Sequence, residues 1–314
     1  MSTRFLAIVV HLLLAVTLSA ADLPAFTRTE DVIYGRKYGT ALTLDVFTPE
    51  GPRNGAGVIF VVSGGWYSSH EAINPVFFAE YLRRGYTVFA VVHGSQPKFT
   101  IPEILEDMHR SVRFIRHNAD RFGIDPNRLA ITGGSAGGHL SLMIATSGRP
   151  GPADAKDPVD RESSRVQAVG CFFPPTDFLN YRDPGRDIFQ ALKEELAAFR
   201  APFDFRELDK ESRRLLIVRG RQRRLAIARE ISPVTHVTPD DPPTLILHGD
   251  ADKLVPIQQA EVMRDRLVSA GVPVELIVRK GQGHGWPNWL EDLKLIADWF
   301  DRHLGTSPTT APAK

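Results

Sequence analysis

The 314-residue chain contains a single cysteine, Cys171. That excludes an internal disulfide and any zinc or iron–sulfur site built from several thiolates. It also lacks a charge of one sign, with 38 Lys+Arg against 37 Asp+Glu and a net charge of +1. No overall field therefore draws it to nucleic acid or to an anionic membrane. Long hydrophobic runs are missing too. The most apolar stretch, Phe5 to Leu18, is about 14 residues, short of the roughly 20 needed to span a bilayer as a helix. No internal repeat is present, and no His/Asp/Glu group has the spacing of a metal site. What remains, 43% hydrophobic and 24% charged residues, is globular. It has the size of one large α/β domain or two small ones.

The two ends read differently from the middle. Arg4, the short apolar run, the small residues Ser19-Ala20-Ala21 and the polar Asp22 form the pattern of a secretory signal peptide over residues 1–21. A secreted or periplasmic protein is expected, with no stable membrane insertion after signal cleavage. An uncleaved anchor is the alternative. Residues 306–314, rich in Thr, Pro and Ala, are expected to be a disordered tail.

Between them, seven segments read as strands. Ala41–Phe47 alternates and is expected to form an edge hairpin with Asp31–Tyr34. Val58–Val62, Thr87–Val92, Leu129–Thr132, Val166–Phe173, Thr244–His248 and Val274–Val278 are near-continuous apolar runs. Such runs suit strands buried on both faces of a parallel sheet. Helical patterns separate them at Pro75–Arg84, Pro102–Phe122, Ala136–Thr146, Ile257–Ala270 and Trp289–Leu304. Strands alternating with helices predict right-handed crossovers and a site at the carboxyl ends of the strands. Residues 178–237 break the rhythm and are expected to be a helical cap insertion. Seven arginines between Arg213 and Arg229 mix there with apolar residues, as in an amphipathic basic helix. Those arginines either lie in water or face the mouth of the site, where they would favour a substrate on an anionic scaffold.

The chemistry centres on Thr132-Gly133-Gly134-Ser135-Ala136-Gly137, where a buried strand runs through Gly-x-Ser-x-Gly into a helix. A serine on such a turn is exposed as a nucleophile, and flanking glycines remove side chains that would clash. Serine needs a base held by a carboxylate. Both follow in chain order: the loop His248-Gly249-Asp250-Ala251-Asp252, then Gly283-His284-Gly285 just beyond the last strand. Asp252 has more reach than Asp250 and is taken as the acid, His284 as the base. His139, one turn beyond Ser135, is read as packing beneath the turn. His70, His93, His236 and His248 could line the site. Backbone N–H groups of Gly64, Gly65 and Ala136 are candidates to hold an oxyanion.

With these residues the sequence resembles the α/β-hydrolase superfamily, and within it the secreted esterase/lipase-like branch with bacterial feruloyl and acetylxylan esterase-type domains. The resemblance runs from about Asp31 to Leu304. It implies an α/β-hydrolase domain over 22–305, with a mostly parallel central sheet flanked by helices. It further implies hydrolysis of a small-molecule or polysaccharide-linked carboxylic ester through an acyl-enzyme, with no cofactor or metal. An amide or peptide hydrolase of prolyl-oligopeptidase type and a catalytically silent binding protein are the alternatives. One departure stands out. Where that branch has His-Gly-Gly-Gly-Trp, this chain has Val62-Ser63-Gly64-Gly65-Trp66, so the bracing of the loop must differ. Oligomeric state is not legible.

Overall fold

The computed structural model describes residues 23–305, so the expected signal peptide and the tail at 306–314 lie outside the described residues. Every apolar run read as a strand is one. In chain order they are β1 (Phe26–Lys37), β2 (Thr40–Pro49), β3 (Gly57–Val61), β4 (Thr87–Val92), β5 (Leu129–Gly134) and β6 (Ala168–Phe172). After a short pair, β7 (Arg206–Leu208) and β8 (Leu215–Ile217), come β9 (Thr244–Gly249) and β10 (Val274–Arg279). Eight of them form one sheet in the order β1-β2-β4-β3-β5-β6-β9-β10. The β1–β2 and β2–β4 pairings are antiparallel and the rest parallel.

Alternation along the strands divides the core in two, because successive side chains point to opposite faces. Ile59, Val61, Ile131, Val169, Cys171 and Ile246 join one apolar cluster, with the helices Ile101–His117, Ala136–Ser147 and Gln258–Ser269. Val58, Ala130, Ala168, Phe172, Leu245 and Leu247 join the other, beneath Ala79–Arg83 and Leu293–Leu304. β6 and β9 are buried throughout, so both faces are covered and the strands can be apolar end to end.

Three helical expectations need correction. The helix read as Pro102–Phe122 starts in a Thr100/Glu103 capping box and stops at His117; Asn118, outside helical geometry at φ −103° and ψ 21°, separates it from Ala119–Phe122. The last helix begins at Leu293, not Trp289, with Asp292 as its cap residue. The third concerns the basic stretch. It is a hairpin, β7 against β8, followed by a helix only from Arg221 to Glu230. Arg213 adopts a positive φ of 56° and Gly220 is extended, so no continuous helix can pass through either. Leu208, Leu215, Leu216 and Ile217 are exposed on that hairpin. Three of the arginines are engaged by neighbouring side chains: Arg221 pairs with Asp187 at 2.8 Å, Arg223 with Glu207 and Glu230, and Arg224 lies 3.9 Å over the Phe189 ring.

Candidate active site

Ser135 sits between β5 and the helix Ala136–Ser147 with φ 54° and ψ −118°. A non-glycine residue held there stores about 1–3 kcal/mol of strain and persists only where its surroundings fix it. Here the Ser135 N–H donates to the Phe172 carbonyl at 2.9 Å, and the Ser135 carbonyl accepts from the His139 N–H. The flanking glycines are required by contact. A Cβ on Gly133 would lie 2.7 Å from the Gly137 carbonyl carbon, and one on Gly137 would lie 2.8 Å from the Val61 oxygen. Strand and helix can turn this sharply only with both side chains absent.

The two loops that follow β9 and β10 bring the partners to it. A Cβ on Gly249 would stand 2.3 Å from the Gln282 oxygen, so the histidine loop passes directly over the end of β9. His284 Nε2 lies 3.0 Å from Ser135 Oγ, and His284 Nδ1 lies 2.6 Å from Asp252 Oδ2. Asp252 is buried. Its other oxygen, Oδ1, accepts the N–H groups of Leu254 (2.9 Å) and Val255 (3.0 Å), which leaves Oδ2 for the histidine. Burial alone would raise this carboxyl. Hydrogen bonds from His248 and His284, the His284 charge and the Val255 N–H outweigh it and hold it well below the usual carboxylate range. With Asp252 ionised, His284 carries its proton on Nδ1 and presents the lone pair of Nε2 to the serine hydroxyl. Asp250 points elsewhere: its Oδ1 accepts the Gly281 N–H at 2.6 Å and shapes the turn.

The glycine loop after β3 supplies donors, though not all three foreseen. The Gly64 N–H donates to the Tyr67 carbonyl at 3.0 Å within the loop and is already used. The N–H groups of Gly65 and Ala136 have no hydrogen-bond acceptor among the described residues, so two candidates remain open. Gly65 (φ 56°) and Trp66 (φ 61°) are both left-handed. The indole N–H of Trp66 donates to His139 Nδ1 at 3.1 Å, and His139 Nε2 reaches the Ile231 carbonyl at 2.7 Å. His139 is wholly buried and burial lowers it to about 4, so it is a neutral link from the loop to the segment 178–237.

Gly65 and Ser135 share a cavity of about 30 Å³ with Leu192, Leu196, Phe199 and Phe203, room for two or three waters. A Cβ on Gly65 would meet the Phe199 ring at 3.0 Å. On this side the serine is walled in by apolar residues of 178–237; Gly64, in the glycine loop, is exposed. None of the seven arginines lines the cavity.

One feature escaped the sequence reading, and His248, read only as one of four histidines that could line the site, has a more definite place. His248 is fully buried, with Nε2 2.9 Å from the Val255 carbonyl and 3.4 Å from Asp252 Oδ2; its place four residues before Asp252 was the available signal. Glu30, Asp45 and His70 gather donor atoms within 4.8 Å of one another, far apart in sequence. Arg28 stands among them, 3.1 Å from Glu30 and 2.5 Å from Asp45, and supplies the cation the cluster needs.

A strained serine at the carboxyl end of a central strand, with histidine and aspartate delivered by later crossovers of this sheet order, defines an α/β-hydrolase-fold protein. Solved structures agree on the fold. A truncated carbohydrate esterase from gut microbiota superposes with a TM-score of 0.72 at 24% identity, over 91% of this chain and 98% of that one. An acetyl ester-xyloside bifunctional hydrolase from Caldicellulosiruptor lactoaceticus gives 0.66 at 21% identity, over 90% and 95%. The BD-FAE family profile matches residues 44–267, and the chain belongs to that family. Among curated relatives, the probable carboxylic ester hydrolase LipM of Mycobacterium tuberculosis is 30% identical over 241 residues, 76% of this chain and 51% of LipM. The chain thus spans about half the length of the curated relatives it matches.

Proposed function

We propose that the chain hydrolyses carboxylic esters through an acyl-enzyme. Ser135 Oγ attacks the ester carbonyl while His284 Nε2 takes its proton; the C–O bond to the alcohol breaks as His284 returns that proton to the leaving oxygen. Water repeats the cycle and frees the acid. Asp252 holds the imidazole and stabilises its cation. Gly65 and Ala136 N–H groups receive the oxyanion, and Gly64 shapes the loop. One observation carries this reading: the unbroken hydrogen-bonded chain from Ser135 through His284 to Asp252 on a strained turn. LipM, named as an ester hydrolase, supports it, and favours an ester over the amide alternative. A complete triad argues against a silent binding protein.

The substrate follows from the two sides of the serine. A small acyl group enters the cavity under residues 178–237, which act as a cap, and a bulky alcohol stays on the open side. An acetylated carbohydrate fits both conditions, and the carbohydrate and acetyl-xyloside names of the structural neighbours support it. Such a substrate lies outside the cell, in keeping with export on a leader at residues 1–21. No helix among the described residues is long and apolar enough to cross a membrane.

The test is Ser135→Ala. It should fold, lose several orders of magnitude of turnover on p-nitrophenyl acetate and on acetylated xylan, and no longer take an organophosphonate label. Unchanged turnover would end the assignment.

A further inference from the structure

We propose that His93 is a positioning residue for the oxyanion loop, acting through Ser63. The inference rests on the esterase reading above and adds a residue to its machinery. His93 follows β4 and is buried. Its Nδ1 lies 2.9 Å from the Gly94 carbonyl and its Nε2 2.8 Å from Ser63 Oγ. A carbonyl accepts only, so Nδ1 carries the proton, Nε2 is an acceptor, and the Ser63 hydroxyl donates to it. Burial lowers His93 to about 4, so this arrangement holds across neutral pH.

The loop needs such a tether. Two successive left-handed residues, one of them Trp66, relax unless held. On the far side of Gly65 the holds are numerous. Trp66 is bonded through its indole to His139 and through its carbonyl to the Gln96 N–H (3.1 Å); Ser68 Oγ donates to the Val62 carbonyl (2.6 Å), and the Ser68 N–H donates to Ser95 Oγ (3.0 Å). On the near side, Ser68 Oγ grips the Val62 carbonyl and Gly64 exchanges backbone bonds with Tyr67; at Ser63 itself, the His93 bond is the one side-chain hydrogen bond among the described residues. The peptide whose N–H remains open to an oxyanion is therefore held from both ends, from His139 on one and His93 on the other. The brace on Ser63 thus comes from the end of the neighbouring strand β4 and not from within the loop.

A donor that is loosened rather than deleted should lose less than the 10²–10³ in kcat seen when an oxyanion donor is removed. Ser63→Ala should lower kcat on p-nitrophenyl acetate by about 10- to 100-fold, with KM within about twofold. Affinity for a trifluoromethyl ketone, which forms the tetrahedral oxyanion, should fall in the same proportion. Rates are taken per active site titrated with an organophosphonate, so a merely unstable protein would lower the titre and leave kcat unmoved. His93→Ala with Ser63→Ala should lose no more than either alone, since one bond is broken in all three. Ser63→Thr, which keeps the hydroxyl, should retain most of the rate. Should His93→Ala not fold, Ser63→Ala and Ser63→Thr still decide. A Ser63→Ala enzyme with wild-type kcat and ketone affinity overturns the role of His93 alone. A wild type with neither turnover nor label overturns the esterase reading and this role with it.

Discussion

Replacing Asp252 by Asn changes one atom and should nearly abolish turnover. Oδ1 of Asp252 accepts two backbone N–H groups, from Leu254 and Val255, at 2.9 and 3.0 Å. An asparagine will keep its carbonyl oxygen there, because turning it round would set an NH₂ against two donors. The NH₂ must then face His284 Nδ1, which today lies 2.6 Å from Oδ2. A donor at that place strips the proton from Nδ1 and moves it to Nε2. Nε2–H can no longer accept the proton of Ser135, 3.0 Å away. In serine proteases the same exchange of the triad aspartate for asparagine loses about 10⁴ in kcat, or about 5.5 kcal/mol. The two N–H bonds survive here, so stability should fall by only about 1–2 kcal/mol. Asp250→Asn is the control. Its Oδ1 holds only the Gly281 N–H, asparagine keeps that acceptor, and turnover should stay within a few-fold. Initial rates on p-nitrophenyl acetate, normalised to titrated sites, with thermal melts of all three proteins, read both effects. An Asp252→Asn enzyme within tenfold of wild type, or a crippled Asp250→Asn, would refute the tautomer argument.

Three further outcomes follow from the same geometry. Phe199→Ala should raise kcat/KM for p-nitrophenyl octanoate relative to acetate by about tenfold or more, since several methylenes gain room; an unchanged chain-length profile would show that the ring does not limit the acyl group. Gly65→Ala forces a Cβ into left-handed backbone and against the Phe199 ring, so kcat should drop by about 10²–10³, measured beside circular dichroism to confirm folding. Stability should fall as pH drops below about 6.5. Burial lowers His93 and His139 to about 4 and His109 to about 3, so between those values and 6.5 the unfolded chain binds more protons and gains on the native one. Asp107, raised by burial to about 6, opposes them by one proton between about 4 and 6. Near pH 5 the balance is about two protons, roughly 3 kcal/mol lost per pH unit; urea midpoints that stay flat from pH 6.5 to 5 would contradict it.

The sheet was legible because β3 to β6 and β9 are buried on both faces, and an uninterrupted apolar run has few other places to go. Ser135, His284 and Asp252 were legible because glycines frame the first two and the third ends an acidic loop after a strand. Tertiary bonding was not. That Gly64 spends its N–H on Tyr67, and that His93 rather than a residue of the loop itself braces Ser63, depends on backbone paths meeting from separate crossovers. The basic stretch misled for a local reason. Leu215, Leu216 and Ile217 beside arginines read as an apolar stripe, yet these residues pair across a hairpin and stay in water.

The manner in which the segment 178–237 is fastened has an engineering consequence. At its start, the Phe178 N–H donates to Ser232 Oγ and the N–H groups of Thr176 and Asp177 donate to Gln259 Oε1; at its end, the Ile231 carbonyl is held by His139. Both ends are thus riveted to buried partners. Between them β7 and β8 pair only with each other and leave four large apolar side chains in solvent. The hairpin is a detachable fitting on a fixed mount. Residues 207–216 can be exchanged for a short turn, or for a foreign loop such as a carbohydrate-binding peptide, without touching the core, and shedding its leucines should make the protein less prone to stick to itself.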